Sequence, residues 1–132
     1  MESLAKKVWL IDSDMVFVGC LSFYCKQIRH LKCKTFYNLF EVIPMLETEL
    51  PDLIVLEIML DGPNGFTLLN ELASYPDTAK IPIIIVTSLN INCDKLPALN
   101  VWKIFRKETM VPDEFLDAVR VCLKSSSERI PS

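Results

Sequence analysis

Leu53–Leu56 is an unbroken apolar run, entered through the turn Pro51–Asp52 and closed by an acid, Glu57. A strand with one wet face alternates apolar and polar residues; a strand with no polar residue is covered on both faces. Such strands belong to parallel sheets with helices above and below. The loop Asp61-Gly62-Pro63-Asn64-Gly65 then leads into an apolar helical pattern from Gly65 to about Tyr75, which Pro76 stops. Glu57 therefore falls at the C-terminal end of a buried strand, the edge where open parallel sheets carry their functional groups.

The rest of the chain repeats this unit. Val8–Ile11 reads as a strand ending at Asp12. Asp14 or Ser13 caps a helix running to about Ile28, with Val16, Val18, Leu21, Phe23, Tyr24 and Ile28 on its apolar faces. Leu31–Phe36 alternates and predicts a half-exposed edge strand. A second helix follows over about Asn38–Glu49, interrupted by Pro44. Ile81–Val86 is β-branched and predicts a fourth buried strand, with Pro82 at its start and Thr87 at its end. Asn90–Asn100 predicts a short or distorted helix, because Asn90, Asn92 and Pro97 are poor helix formers. Val101–Phe105 is a fifth strand that ends near Lys107. Pro112, Asp113 and Glu114 open a last helix lined by Phe115, Leu116, Val119, Cys122 and Leu123. Strands alternating with helices in this way predict an α/β fold, a flavodoxin-like doubly wound five-stranded parallel sheet with helices on both faces. Residues 1–125 form one domain in this reading and 126–132 a polar tail.

Composition narrows the function. The chain has 132 residues, enough for one domain, and a net charge of −3 with both signs spread along it. That balance lacks the basic footprint of a nucleic-acid binder. Met15–Cys25 is apolar but too short to span a bilayer, and MESLAKK carries no signal-peptide core, so a cytoplasmic protein without a membrane partner is expected. Five cysteines without a CxxC pair predict reduced thiols, several of them buried. Lys6 and Lys7 read as a solvated strand entry, His30 as a surface turn, and Met15, Met45, Met59 and Met110 as core and loop packing.

Four strands deliver polar side chains to one edge: Asp12 with Ser13 and Asp14, Glu57, Thr87 and Lys107. In this order and spacing, over about residues 7–124, the chain resembles the receiver domains of two-component response regulators. The resemblance implies that two acids after the first strand help hold magnesium. An aspartate after the third accepts a phosphoryl group from a kinase phosphohistidine, and a Ser or Thr and a Lys bond the phosphoryl oxygens. Asp12, Thr87 and Lys107 match, as does Gly65, eight residues after the acceptor.

The departures define the expectation. Ser13 stands at the second acid, Glu57 at the acceptor, Asp61 at a loop proline and Ile104 at the switch aromatic, with Phe105 on the opposite face. Glu108 stands where the family has a cis proline, which predicts a trans bond. In-line phosphoryl transfer depends on positioning, and magnesium on near-octahedral oxygens. The reading is therefore a degenerate pseudo-receiver: a phosphorylation-independent signalling module, not an enzyme, with Glu57 paired to Lys107. No cofactor is expected; Asp12, Asp14 and Glu57 are the only acids placed to hold magnesium. Its partner would be a sensor kinase, an output domain or another signalling protein, docking near Trp102 and Lys103, with a homodimer left open. The rivals are a receiver that still accepts phosphate and a flavodoxin-like cofactor-binding enzyme. Asp12-Ser13-Asp14-Met15 is the wrong loop for the latter, since its acids repel phosphate.

Overall fold

The computed structural model describes residues 5–91 and 100–128. Strands β1 (Lys6–Ile11), β2 (Leu31–Phe36), β3 (Leu53–Leu56), β4 (Ile83–Thr87) and β5 (Val101–Arg106) form one parallel sheet in the order β2-β1-β3-β4-β5. The order follows from polarity. The all-apolar β3 takes the centre, where both faces are covered, and the alternating β2 takes an edge, with Lys32 and Lys34 in solvent.

Two cores result, one on each face of the sheet. Val8, Leu10, Leu53, Val55, Ile84, Val86 and Phe105 pack against α1 (Met15–Cys25) and α5 (Pro112–Glu128). The intervening residues Trp9, Ile11, Ile54, Leu56, Ile83 and Ile85 pack against α2 (Leu39–Met45) and α3 (Gly65–Ala73). The period-2 alternation of side chains along each strand produces this division. It places Phe105 on the α1/α5 face and Ile104 on the other, as the sequence predicts.

The helices differ from expectation at their ends and outer faces. Asp14 is the N-cap of α1, accepting from the Val16 and Phe17 amides, but the helix stops at Cys25 rather than Ile28. Val16 and Phe23 are exposed rather than packed, and so are Met15 and Met59. Helix α2 ends at Met45, one residue past Pro44. Pro76 does more than stop α3: it begins α4 (Pro76–Ala79), a single turn. Proline suits a first turn because its missing N–H would have no partner there, and the Thr78 hydroxyl fixes the turn by donating to Leu72 O at 2.6 Å. Helix α5 continues to Glu128, so the first residues of the predicted tail are helical. Most of the helix expected over 90–100 lies outside the described residues.

The edge strand β5 carries one irregularity. β4 steps from Ile83 to Ile84 while β5 steps from Val101 to Lys103, so Trp102 is the extra residue of a bulge. Alternation breaks there, and Trp102 and Lys103 are exposed in succession. Of the cysteines among the described residues, Cys25 and Cys122 are buried, Cys33 is half-buried and Cys20 exposed. A hydrogen bond with Cys33, reinforced by burial, pushes the Cys25 thiol up.

Candidate functional site

The C-terminal ends of β1, β3 and β5 converge on one ammonium group. Lys107 follows β5, and its amide continues the ladder by donating to Thr87 O at 2.9 Å. Its Nζ lies 2.8 Å from Asp12 Oδ2 and 3.1 Å from Glu57 Oε1. The Phe17 ring, one turn into α1, covers the same ammonium at 4.4 Å from its centroid. The predicted Glu57–Lys107 pair is thus present, and Asp12 makes it a triad.

Each carboxylate oxygen in the triad has a donor. Asp12 Oδ1 accepts from the Asp14 amide at 2.9 Å. Glu57 Oε2 accepts from the Met59 amide at 3.0 Å, and Oε1 accepts from the Ser88 amide at 3.3 Å as well as from Lys107. Glu57 is 2% exposed. Gly65 allows this enclosure: a Cβ there would come within 2.8 Å of Ile58 Cα and 3.0 Å of Glu57 O, so only glycine lets α3 start this close to the strand end.

Two acids share one cation, and the charges respond accordingly. Burial raises the Asp12 carboxyl above its usual range; the Lys107 ammonium and the Asp14 amide offset this in part, and the Glu57 charge adds to it. Burial alone would lower Lys107. The hydrogen bonds and charges of Asp12 and Glu57 outweigh it and raise Lys107 instead.

Ser13, at the second acid position, is a brace between loops. Its hydroxyl donates to Tyr37 O at 2.5 Å and accepts from the Asp61 amide at 2.9 Å. One side chain therefore ties the loop after β1 to the loops after β2 and β3. The two departures fit each other, since a proline at position 61 would have no N–H to give. Asp14 is turned into the helix start by its capping bonds. The Thr87 hydroxyl accepts from the Leu89 amide at 3.1 Å, in its own loop rather than toward Glu57.

This donor set does not fit magnesium. Asp12 and Glu57 are spent on Lys107 and backbone amides, Ser13 on two loops and Asp14 on a helix cap. Among the described residues no group of three or more His, Cys, Asp or Glu could hold a metal.

The other singled-out residues lie elsewhere. Ile104 packs in the α2/α3 core. Trp102 is 36% exposed, and its indole N–H donates to Asn100 Oδ1 at 2.7 Å. With Lys103, Glu114, Asp117, Ala118, Val121 and Cys122 it lines a groove of about 380 Å³ between β5 and α5. Sequence reasoning did not find the Met59, Ser88 and Asp61 amides, because backbone donors leave no residue signature. Phe17 was legible in principle, three residues after a capping Asp.

The profile of the response regulator receiver domain matches residues 8–118. The response regulator PleD of Caulobacter vibrioides is 31% identical over 81 residues, 54% of this chain and 18% of PleD. The chain thus spans under a fifth of that relative. A CheY-like receiver domain from Methanospirillum hungatei superposes with a TM-score of 0.81 at 18% identity, over 97% of this chain and 100% of that one. The receiver domain of a signal transduction histidine kinase from Syntrophus aciditrophicus gives 0.81 at 20%, over 97% and 96%. The chain belongs to the response regulator receiver domain family.

Proposed function

We propose that this receiver domain is a signalling docking module whose phosphoacceptor position has become a fixed electrostatic clamp. The observation that carries the reading is the contact of Lys107 Nζ with both Asp12 Oδ2 and Glu57 Oε1. In the family the lysine and the loop amides are ligands for an incoming phosphoryl group. Here the longer Glu57 side chain reaches the lysine and the Ser88 amide itself. The domain is held in one state without a covalent signal, and its output is binding rather than a reversible switch.

Phosphoryl transfer to Glu57 would need a carboxylate oxygen free to attack in line. Both are hydrogen-bonded, and Glu57 itself is buried. The partner class is that of the family, a kinase or an output domain, with the Trp102–Lys103 edge as the docking surface; an exposed aromatic beside a cation is a typical interface anchor. Among the described residues no helix is long and apolar enough to cross a membrane.

Incubation with a small-molecule phosphodonor and magnesium, read by intact mass, tests the clamp. An unchanged mass is expected; a stoichiometric gain of one phosphoryl group overturns it. Glu57→Gln weakens the hold on Lys107 at nearly constant shape. A shift in affinity for a native partner is expected, and an identical affinity would reduce Glu57 to a buried polar residue without a signalling role.

A further inference from the structure

Cys25 and Cys33 meet where the end of α1 lies against the edge of the sheet. Cys25 is the last residue of α1 and is 1% exposed. Cys33 is half-buried on the edge strand β2 and packs against the same core. The short turn between them passes through His30, whose φ of 60° is left-handed, and the Lys6 amide fastens that turn by donating to His30 O at 2.9 Å. The two thiols are hydrogen-bonded to each other. A buried cysteine ordinarily serves as a small hydrophobe. Alanine or valine would serve that purpose at either position, whereas two sulfurs in contact can also react with one another.

We propose that Cys33 and Cys25 form a peroxide-sensitive pair, in which Cys33 is oxidised first and Cys25 resolves it into a disulfide. The pair is independent of the clamp, since neither thiol belongs to the triad.

The surroundings divide the two roles. The bond with Cys33 and burial both push the Cys25 thiol up, so Cys25 keeps its proton. The same bond, with Cys25 as donor, holds the Cys33 thiol below its ordinary value against the effect of burial. The thiolate is the reactive form, and of the two only Cys33 reaches solvent. An accessible thiol of lowered pKa beside a resolving one is the arrangement that peroxide oxidation selects.

The chemistry closes with hydrogen peroxide as the oxidant. The Cys33 thiolate attacks one peroxide oxygen and the O–O bond breaks. Cys33 becomes a sulfenic acid, and the departing hydroxide takes up the proton that Cys33 had lost. Cys25 Sγ then attacks Cys33 Sγ. The S–O bond breaks, and the hydroxyl leaves as water with the Cys25 proton. The pair loses two electrons and the peroxide gains them. A disulfide needs its sulfurs about 2.05 Å apart. Thiols already in contact close that gap by side-chain rotation, and both positions have room to yield: α1 ends at Cys25, and β2 is paired on one side only.

The test treats the reduced protein with hydrogen peroxide, then denatures it, alkylates it with iodoacetamide and measures its mass. Three of the five cysteines should alkylate instead of all five, and two hydrogens should be missing. Tryptic mapping should join segment 8–26 to segment 33–34. Cys20→Ser, at an exposed position, should keep that link and so assign it to Cys25. Cys33→Ser should abolish it, and Cys25→Ser should leave Cys33 as a sulfenic acid that dimedone captures. Five thiols still alkylating after peroxide overturn the inference, as does a sulfinic acid at Cys33 without a link. Equal linkage of 25 and 33 in urea also overturns it, because nearness in the chain rather than the fold would then be the cause. The wild-type map decides the matter even where a variant fails to fold.

Discussion

At the end of β3 the chain buries a carboxylate and gives each of its oxygens a donor. At the β5 edge, on the strand that delivers Lys107, it pushes an indole and a lysine into solvent side by side. In the proposed reading the first place is the clamp and the second is the docking surface. The difference shows where free energy remains to be gained. A pocket whose polar groups already satisfy one another has little to offer a ligand, while an exposed aromatic still has apolar surface to remove from water.

The strongest attempt to break this contrast is Lys107→Met. It leaves Asp12 and Glu57 buried, facing each other without their cation. Removing one member of a buried ion pair costs about 3–5 kcal/mol, and partial solvent access to Lys107 places this case near 3 kcal/mol. Chemical denaturation should show that loss; a change below about 1 kcal/mol would mean that the triad is as slack as a surface pair. The same pair sets an alkaline limit. Lys107 has a pKa raised above its ordinary 10.5. Its contribution is therefore fully present below pH 10.5 and lost as pH rises through the raised value. A pH series of melting curves should show that loss in the wild type and not in Lys107→Met.

Gly65→Ala probes the enclosure instead of the charge. The added methyl meets Ile58 Cα at 2.8 Å, backbone that can yield only by moving the start of α3. Overpacking of this kind costs about 1–3 kcal/mol, read as a lower denaturation midpoint with an unchanged slope. Ser13→Ala removes both bonds of the brace and should cost about 1–2 kcal/mol, with faster amide exchange at Asp61. At the other pole, Trp102→Ala should change stability by no more than about 0.5 kcal/mol while abolishing partner capture. Intact capture by that folded variant would remove β5 from the docking surface.

The sheet was legible because its signal is continuous. The runs Val8–Ile11, Leu53–Leu56 and Ile83–Val86 hold only apolar residues, and alternation exposed β2 as an edge. Helix ends were less legible. The difference between Cys25 and Ile28 as the end of α1, or the single turn begun by Pro76, rests on local hydrogen bonds that composition does not encode. Within the site, the side chains that meet were found: Asp12, Glu57 and Lys107. The donors that close it were not, because the Met59, Ser88 and Asp61 amides carry no letter of their own. The bulge at Trp102 was hidden for the same reason: inserting one residue changes register, and register is a property of two strands.

The bond from the Asp61 amide to Ser13 Oγ makes two positions far apart in the chain dependent on each other. An aspartate restored at 13 would lose the bond to Tyr37 O and place another acid beside Asp12, while a proline restored at 61 would strip Ser13 of its donor. Glu57→Asp alone would shorten the side chain by a methylene and withdraw it from the Ser88 amide. Each single change toward the family's pattern therefore breaks a hydrogen bond that the chain now makes. If Glu57 is a clamp as proposed, re-engineering a phosphoacceptor here means changing 13, 57 and 61 together, because the bonds of Ser13 and Glu57 are otherwise lost one at a time.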